Sequence, residues 1–252
     1  MKSDPKVAII LPNYNSDLFL KTTINSVLNQ SYKNWQLIII DDCSNQKTKS
    51  ILKTFLNNRK IKIFWLKTNR GAAYCRNFGI KKSKSKYLAF IDSDDIWKKE
   101  KLKQQIYFME KNNYYFTFTN YETFGLKKKL IKPPNKFNFK SFIRNTSIGT
   151  STMIINRKIA RDITFTNSKI CEDYYYKCKL LKRVNLAFCL NKFLTKYRVR
   201  NNSLQSNPIK NFYWIWRINS KYNKLGFLEN FLSLFFICLN SIRKYGGKNI
   251  IN

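Results

Sequence analysis

Short apolar runs alternate with helical repeats along the first 111 residues. Residues 7–11 form an uninterrupted apolar run that stops at Pro12, which is typical of a buried strand. Between residues 19 and 28, apolar positions recur at helical spacing instead. The same alternation predicts strands at 35–40, 61–66 and 87–91 and helices at 48–56, 71–80 and 98–111. Strands and helices that alternate across short connections indicate βαβ units and a mostly parallel sheet, the mark of an α/β fold.

The second half of the chain has a less regular pattern. Residues 127–138 are polar and contain Pro133-Pro134, which predicts a loop between two halves of one domain. Beyond this segment we expect strands at 151–155 and 193–199 and a helix at 172–181. From residue 209 onward the pattern predicts two helices, and residues 227–239 are strongly apolar and aromatic.

Acidic residues are rare in this chain, and half of them are clustered. Seven of the 14 lie in three groups: Asp41-Asp42, Asp92, Asp94 and Asp95, and Glu172-Asp173. The first two groups follow predicted strands, and open α/β sheets bind ligands outside the carboxyl ends of their strands. Asp92 and Asp94 offer oxygen ligands of the kind that Mg²⁺ and Mn²⁺ prefer. The residues alone leave open a simpler interpretation, in which Asp41 and Asp92 begin turns and Glu172-Asp173 sits at a helix N-terminus.

Charge and composition restrict the chemistry further. The chain has 48 Lys and Arg residues and a net charge of +34, which suits nucleic acid or an anionic membrane surface as a partner. Codon usage in an AT-rich genome explains the excess equally well. Histidine is absent, so acid–base chemistry falls to Asp, Glu, Lys, Tyr or Cys. The six cysteines contain no C-x-x-C pair, which indicates a reducing compartment.

No targeting or membrane-spanning segment is predicted. The apolar run at 7–11 is too short for a signal peptide, and no uncharged stretch approaches the roughly 18 apolar residues of a membrane helix. We therefore expect a cytoplasmic protein.

The charge and the paired aspartates leave two classes of function open at this point. A nucleic-acid-binding protein fits the charge, although no helix-turn-helix, zinc-finger or RNP-type motif is present. A metal-dependent nucleotidyltransferase would also use paired aspartates, but gives no reason for Glu172-Asp173.

Nine motifs, taken in order, resemble those of the family 2 glycosyltransferases. They are VAIILPNYN (7–15), SVLNQSY (26–32), IIDDCS (39–44), NRG (69–71), RNFGI (76–80), FIDSDDIW (90–97), GTSTM (149–153), CEDY (171–174) and YRVRNNSL (197–204). The resemblance covers about residues 5–205. It implies a GT-A fold, Rossmann-like with helices around a mostly parallel sheet. Together with the helical pattern of the tail, it predicts a catalytic domain over 1–207, with a nucleotide-sugar part of about 1–125 and an acceptor part of about 126–207, followed by a C-terminal helical region at 208–252.

The resemblance also implies a role for each matching position. Pro12 and Tyr14 would line a uracil pocket, in which Tyr14 stacks on the base and Asp42 accepts the ring N–H. Arg76 would favour the negative charge of the donor. Asp92 would bind ribose or assist a metal, Asp94 would ligate Mn²⁺ or Mg²⁺, and Asp173 would be the general base. Many relatives have histidine where this chain has Arg200. Arginine cannot ligate a cation but pairs well with phosphate, so the departure weakens the metal expectation.

The activity that the resemblance implies is an inverting transfer from a UDP-sugar to a hydroxyl of a glycan or lipid-linked acceptor. The setting would be bacterial lipooligosaccharide, O-antigen or capsule synthesis, and the sugar a hexose or an N-acetylhexosamine. The apolar segment 227–239 is too short to span a bilayer. Flanked by Lys221, Lys224, Arg243, Lys244 and Lys248, it fits an interfacial helix on the inner face of the cytoplasmic membrane. A core or dimer helix explains the same segment, and both interpretations stay open.

Overall fold

The computed structural model describes residues 6–166, 170–200 and 208–245, in which a single mixed sheet of ten strands forms the centre. The strands are β1 (Val7–Asn13), β2 (Trp35–Asp41), β3 (Ile61–Trp65), β4 (Tyr87–Phe90), β5 (Ile96–Trp97), β6 (Phe116–Gly125), β7 (Lys129–Ile131), β8 (Lys136–Phe137), β9 (Ile154–Asn156) and β10 (Ala187–Val199). The helices are α1 (Leu20–Leu28), α2 (Gln46–Lys53), α3 (Ala72–Lys82), α4 (Lys101–Lys111), α5 (Phe139–Phe142), α6 (Glu172–Val184), α7 (Pro208–Ile218) and α8 (Phe227–Tyr245).

The first half of the sheet is parallel, as the pattern predicts. Its strands run in the order β3-β2-β1-β4, and β1 pairs in parallel with both β2 and β4. All seven residues of β1 are buried, because helices cover both faces of the sheet. Helix α3 packs closely on it at Gly79, where a Cβ atom would lie only 2.8 Å from Ile10 and Ile40 side chains. The predicted α/β fold is confirmed.

The second half differs from the prediction at several strands. The sheet continues through β9, β6, β10 and β5, and β9 is antiparallel to both of its neighbours. The central strand β6 was not predicted, although Phe116 and Phe118 alternate with threonines in the manner of a strand. The predicted loop at 127–138 contains β7 and β8, so that prediction is wrong there. Strands β7 and β8 are too short to show a pattern in the sequence. Each pairs with one strand, β6 for β7 and β10 for β8.

Two further boundaries differ. The predicted strand at 151–155 begins as a 3-10 turn at Thr150–Thr152, and only Ile154–Asn156 pairs in the sheet. Strand β10 begins at Ala187 rather than at residue 193, and its pairing with β6 shifts register between Leu190 and Thr195. An irregular register interrupts the alternation of inward and outward side chains, which explains why the pattern missed the first part of this strand.

The two predicted C-terminal helices are present and pack against the sheet domain. Ile215 and Ile218 of α7 and Ile237 of α8 belong to the same hydrophobic core cluster as Ile10 and Phe90 of the sheet. A short π-helical turn, Asn219–Asn223, links the helices. Among the residues described, no helix is long and apolar enough to cross a bilayer. The predicted division at residue 207 falls in a segment outside the described residues and stays a prediction.

Candidate active site

Two of the acidic clusters, Asp41-Asp42 and the cluster that begins at Asp92, lie at one edge of the sheet because they follow parallel strands on either side of β1. Asn13 at the end of β1 pairs opposite Asp41 at the end of β2, and Asp92 follows β4 on the other side of β1. Asp41 is fully buried and holds the edge together, since its Oδ1 accepts from the Asn13 Nδ2 at 2.7 Å and its Oδ2 from the Ser44 N–H. The structure therefore gives Asp41 a structural role.

The residues expected around a base lie between β1 and α3. Tyr14 follows β1 and is half exposed, whereas Pro12 is buried within the strand. Asp42 is nearly buried, and its two carboxylate oxygens accept the N–H groups of Arg70 and Gly71, each at 2.7 Å. Asp42 thus anchors the start of α3 and reaches a bound base only through its remaining lone pairs. The predicted roles of Pro12, Tyr14 and Asp42 stay predictions.

Arg76 joins two of the acidic clusters. Its guanidinium donates to Asp92 Oδ1 at 2.7 Å and to Glu172 Oε1 at 2.8 Å, and its side chain is only 6% exposed. Burial lowers the pKa of Arg76, but Asp92 and Glu172 outweigh it, so the group stays charged. The guanidinium thus holds both carboxylates in place, and the predicted role of Arg76 toward a donor stays a prediction.

Arg200 pairs with the aspartate expected to hold a metal. Its Nη2 lies 2.8 Å from Asp94 Oδ2, and the Nε of Arg198 donates to the Asp94 carbonyl at 3.0 Å. Both guanidinium groups also lie over the ring of Phe19, which keeps them beside Asp94 and the loop between β4 and β5. Burial and the neighbouring Asp92 raise the pKa of Asp94, while Arg200 lowers it. The side chain of Arg200 is more exposed than that of Asp94, so the guanidinium can turn toward a ligand with little loss of buried contacts.

The arrangement does not fit a resident divalent cation. Asp92 and Asp94 each have a guanidinium partner, and a permanently charged arginine repels a cation placed on the same carboxylate. Within the described parts of the chain, no group of three His, Cys, Asp or Glu side chains could hold a metal ion. A cation at Asp94 would therefore have to displace Arg200 and take most of its ligands from a bound molecule and water.

Asp173 lies at the start of α6, beside Glu172, and both of its close contacts are made to one oxygen. Thr150 Oγ1 and Lys177 Nζ each lie 2.7 Å from Asp173 Oδ2. Burial raises the pKa of Asp173, but Lys177, Thr150 and the more distant Arg76 outweigh it and hold the pKa below its ordinary value. The carboxylate is thus ionised at neutral pH. Because Oδ2 is engaged, Oδ1 is the oxygen left to receive a proton.

The sequence did not identify three side chains at this site as functional. Thr150 and Lys177 hold Asp173, and Ser151 accepts the backbone N–H of Asp92 at 3.0 Å. The 149–153 motif pointed at Thr150 and Ser151 without assigning them a role. Lys177 had a local signal that was available, because it stands four residues after Asp173 in a predicted helix, the spacing of an ion pair.

Comparison with known proteins adds independent observations. The family model described as glycosyl transferase family 2 matches residues 8–183. An Escherichia coli protein named UDP-Glc:alpha-D-GlcNAc-diphosphoundecaprenol beta-1,3-glucosyltransferase WfgD is 35% identical over 243 residues, which cover 95% of this chain and 93% of that protein. A second Escherichia coli protein of the same described activity, WfaP, is 31% identical over 246 residues, with 95% of each chain covered.

Solved structures share the fold at low sequence identity. The S. aureus TarS 1-349 structure in complex with UDP-GlcNAc superposes with a TM-score of 0.75 at 22% identity, covering 94% of this chain and 72% of that one. A mannosyltransferase from Pyrobaculum calidifontis, PcManGT, in complex with GDP-Man and Mn²⁺, gives a TM-score of 0.70 at 12% identity, with 99% and 73% covered. These likenesses concern the arrangement of the chain, which is that of GT-A glycosyltransferases.

Proposed function

Since the chain belongs to glycosyl transferase family 2 and is therefore a glycosyltransferase, we propose that it is an inverting enzyme that uses a UDP-sugar. The acceptor in this proposal is a hydroxyl group of a glycan or lipid-linked molecule of bacterial surface polysaccharide synthesis. The observation that carries the proposal is the link made by Arg76, which ties the Asp92 loop to Glu172, the residue next to Asp173. This link supports a candidate base close to the edge of the sheet at which, in this proposal, the nucleotide binds.

Uracil is the base that the pocket favours in this proposal. Tyr14 exposes an aromatic face beyond β1, and Asp42 keeps acceptor lone pairs beside the start of α3. A ring N–H of uracil suits such an acceptor. The two related Escherichia coli proteins are both named as enzymes that use UDP-Glc, which supports the same nucleotide.

The reaction in this proposal is a single in-line displacement. The acceptor oxygen attacks the anomeric carbon from the face opposite the diphosphate, and the bond from that carbon to the diphosphate oxygen breaks with its electron pair leaving on UDP. Asp173 takes the hydroxyl proton on Oδ1, while Lys177 and Thr150 hold Oδ2. A carboxylate of low pKa binds a proton weakly, so the transfer occurs late, as the new bond makes the acceptor oxygen acidic.

Positive charge for the departing diphosphate comes from the arginines. In this proposal the guanidinium of Arg200, which is partly exposed, moves from Asp94 to a phosphate oxygen. Arg76 contributes through its field, held between Asp92 and Glu172. Interactions that strengthen as charge develops on the leaving group lower the barrier rather than only improving binding.

A divalent cation stays a prediction for this chain. Enzymes of the GT-A fold commonly use one, and the resemblance implies Mn²⁺ or Mg²⁺ at Asp92 and Asp94. Such an ion would neutralise charge on the leaving diphosphate. Because both carboxylates have guanidinium partners, no step above depends on the ion. A cation that arrives with the donor would compete with Arg200 for Asp94.

The names of the relatives support a proposal for the acceptor and the location. WfgD and WfaP are named for transfer to a GlcNAc-diphosphoundecaprenol, a lipid-linked sugar. We propose an acceptor of the same class and a peripheral location on the cytoplasmic face of the membrane, where such lipids are reached from the water phase.

Donor screening tests the proposal. Purified enzyme is incubated with a short-chain lipid diphosphate sugar and, separately, with UDP-Glc, UDP-Gal, UDP-GlcNAc or UDP-GalNAc, and UDP release is measured. We expect acceptor-dependent release with one of these donors and a product of inverted anomeric configuration by NMR. GDP- and dTDP-sugars are tested in parallel by release of GDP or dTDP. Transfer from these donors alone would contradict the choice of nucleotide, and a retained configuration would contradict the displacement.

A further inference from the structure

Helix α8 has two chemically different faces. One face is buried against the rest of the protein, where Ile237 joins the core cluster, Asn230 donates to the Trp216 carbonyl, and Ser233 Oγ donates to the Ile143 carbonyl at 2.6 Å. This face shows that α8 packs against the catalytic body. The opposite face remains to be explained.

The outward face of α8 is apolar and exposed. It consists of Phe227, Leu228, Phe231, Phe235 and Ile242, which we call the docking face. At about 100° per residue these five positions fall within an arc of roughly 100° on the helix. Phe227 is 77% exposed and Phe231 is 55% exposed. A contiguous exposed row of large apolar side chains is unusual for a free surface and marks an interaction site.

The charges around the docking face indicate the partner. Residues 208–245 contain six Lys and Arg residues and one acidic residue, Glu229. Arg217, Lys221, Lys224 and Arg243 are exposed, whereas Lys244 turns inward to Asn145 and burial lowers its pKa to about 8. The remaining flanking lysine, Lys248, lies outside the described residues. An apolar row with a cationic border matches the interface of an anionic lipid bilayer.

A second copy of the chain fits this face less well. Two copies would bring the same cationic borders together, and the chain as a whole has a net charge of +34. A bilayer of anionic lipid offers the opposite charge and a wide apolar layer. Helix α8 has 19 residues, or roughly 28 Å, enough to lie along such a surface.

Hydrogen bonds connect α8 and the turn before it to α6, the helix that carries the candidate base. Tyr174, next to Asp173 in α6, donates to Asn219 Oδ1 at 2.8 Å, and Asn219 in turn donates to Asn230 and Ser233 of α8. We propose that the docking face binds the enzyme to an anionic membrane surface. The benefit to a lipid-linked acceptor rests on the proposed function, but membrane binding itself does not.

Vesicle co-sedimentation of the full chain tests the proposal. The variant Phe227→Ser/Phe231→Ser/Phe235→Ser is compared with a matched control, Leu56→Ser/Tyr107→Ser/Leu130→Ser, which removes three exposed apolar side chains elsewhere. Vesicles are made of phosphatidylglycerol with phosphatidylethanolamine, or of phosphatidylcholine alone. We expect the wild type and the control to bind the anionic vesicles and the α8 variant to bind at least tenfold more weakly. Thermal unfolding checks that both variants fold.

Two results would overturn the proposal. One is anionic vesicle binding by the α8 variant equal to that of the wild type, which would leave only the diffuse positive charge. The other is a wild-type dimer in analytical ultracentrifugation that the α8 substitutions dissociate, without any effect on vesicles. Because these measurements use no sugar donor, they stand or fall separately from the UDP-release assay.

Discussion

The Nζ atom of Lys177 lies 2.7 Å from Oδ2 of Asp173, one turn earlier in the same helix, and its side chain is only 4% exposed. The pair is therefore shielded from water on the lysine side. A buried ion pair of this kind makes each partner depend on the other, because removal of one leaves an uncompensated charge. The relationship has a direct consequence for the pH range in which Asp173 can act as a base.

Substitution Lys177→Met should move the acid limb of activity to higher pH. Burial would then act on Asp173 without the lysine, so its pKa should rise from below its ordinary value toward or above it. Only the ionised carboxylate accepts a proton, so kcat/KM for UDP release should fall at a pH at least about one unit higher than in the wild type. Profiles from pH 4 to 9 measure the shift. Lys179→Met is the control, since Lys179 binds a backbone carbonyl of residue 164. An unmoved acid limb would remove Lys177 from this role.

Substitution Asp173→Asn should reduce turnover by roughly 10²- to 10⁴-fold, the usual contribution of a general base. Donor affinity, measured by calorimetry with UDP, should stay within about twofold, because Asp173 is proposed to contact the acceptor alone. Asp162→Asn serves as a control, since Asp162 forms an exposed pair with Arg183. Turnover near the wild-type value in the Asp173 variant would show that another group takes the proton.

Substitution Arg200→His should strengthen Mn²⁺ binding. The change removes the guanidinium from Asp94 and adds an imidazole, a good ligand for this ion. In the presence of UDP, we expect Mn²⁺ affinity to rise at least about tenfold, measured from the signal of free Mn²⁺ in electron paramagnetic resonance. Arg200→Ala separates the two effects, since it removes the charge without adding a ligand. Equal affinities in the His and Ala variants would contradict the idea that residue 200 faces a cation position.

Lys101 should make the stability of the protein depend on pH in the alkaline range. It is fully buried, donates to Gln105 Oε1 at 2.6 Å and to the Thr152 carbonyl, and burial lowers its pKa to about 7. Between that value and its ordinary pKa near 10, the unfolded chain holds a proton that the folded chain has lost. The free energy of unfolding therefore rises with pH over this window, by up to about 1.4 kcal/mol per unit from this group.

The measurement compares urea unfolding of the wild type and Lys101→Met at pH 7.5, 8.5 and 9.5. The stability of the wild type relative to the variant should increase with pH. Lys103→Met, at an exposed position of the same helix, should show no such trend relative to the wild type. If the free energy of unfolding changed with pH in the same way in the wild type and in Lys101→Met, Lys101 would stay charged when buried.

The local pattern determined the first half of the fold and the edge where the site lies. Strands β1, β2 and β4 are apolar runs buried on both faces, and such runs have a signal within a few residues. Because parallel strands end at one edge, Asp42 and Asp92 could be placed near each other from the sequence alone. The pattern failed in the second half, where β6 buries Thr117 and Thr119 as well as phenylalanines. A buried strand that contains polar residues has no apolar run to reveal it.

Only the tertiary structure decided which charges meet. Arg76 pairs with Asp92, 16 residues away, and with Glu172, 96 residues away, and Arg200 pairs with Asp94 across the sheet edge. The sequence shows where scarce carboxylates cluster, since that is a property of neighbouring residues. It does not show which of 48 cations reaches each carboxylate, because that choice depends on distances set by the packing of α3, α6 and β10 around the sheet. For the same reason, the two faces of α8 became distinct only when one of them was buried.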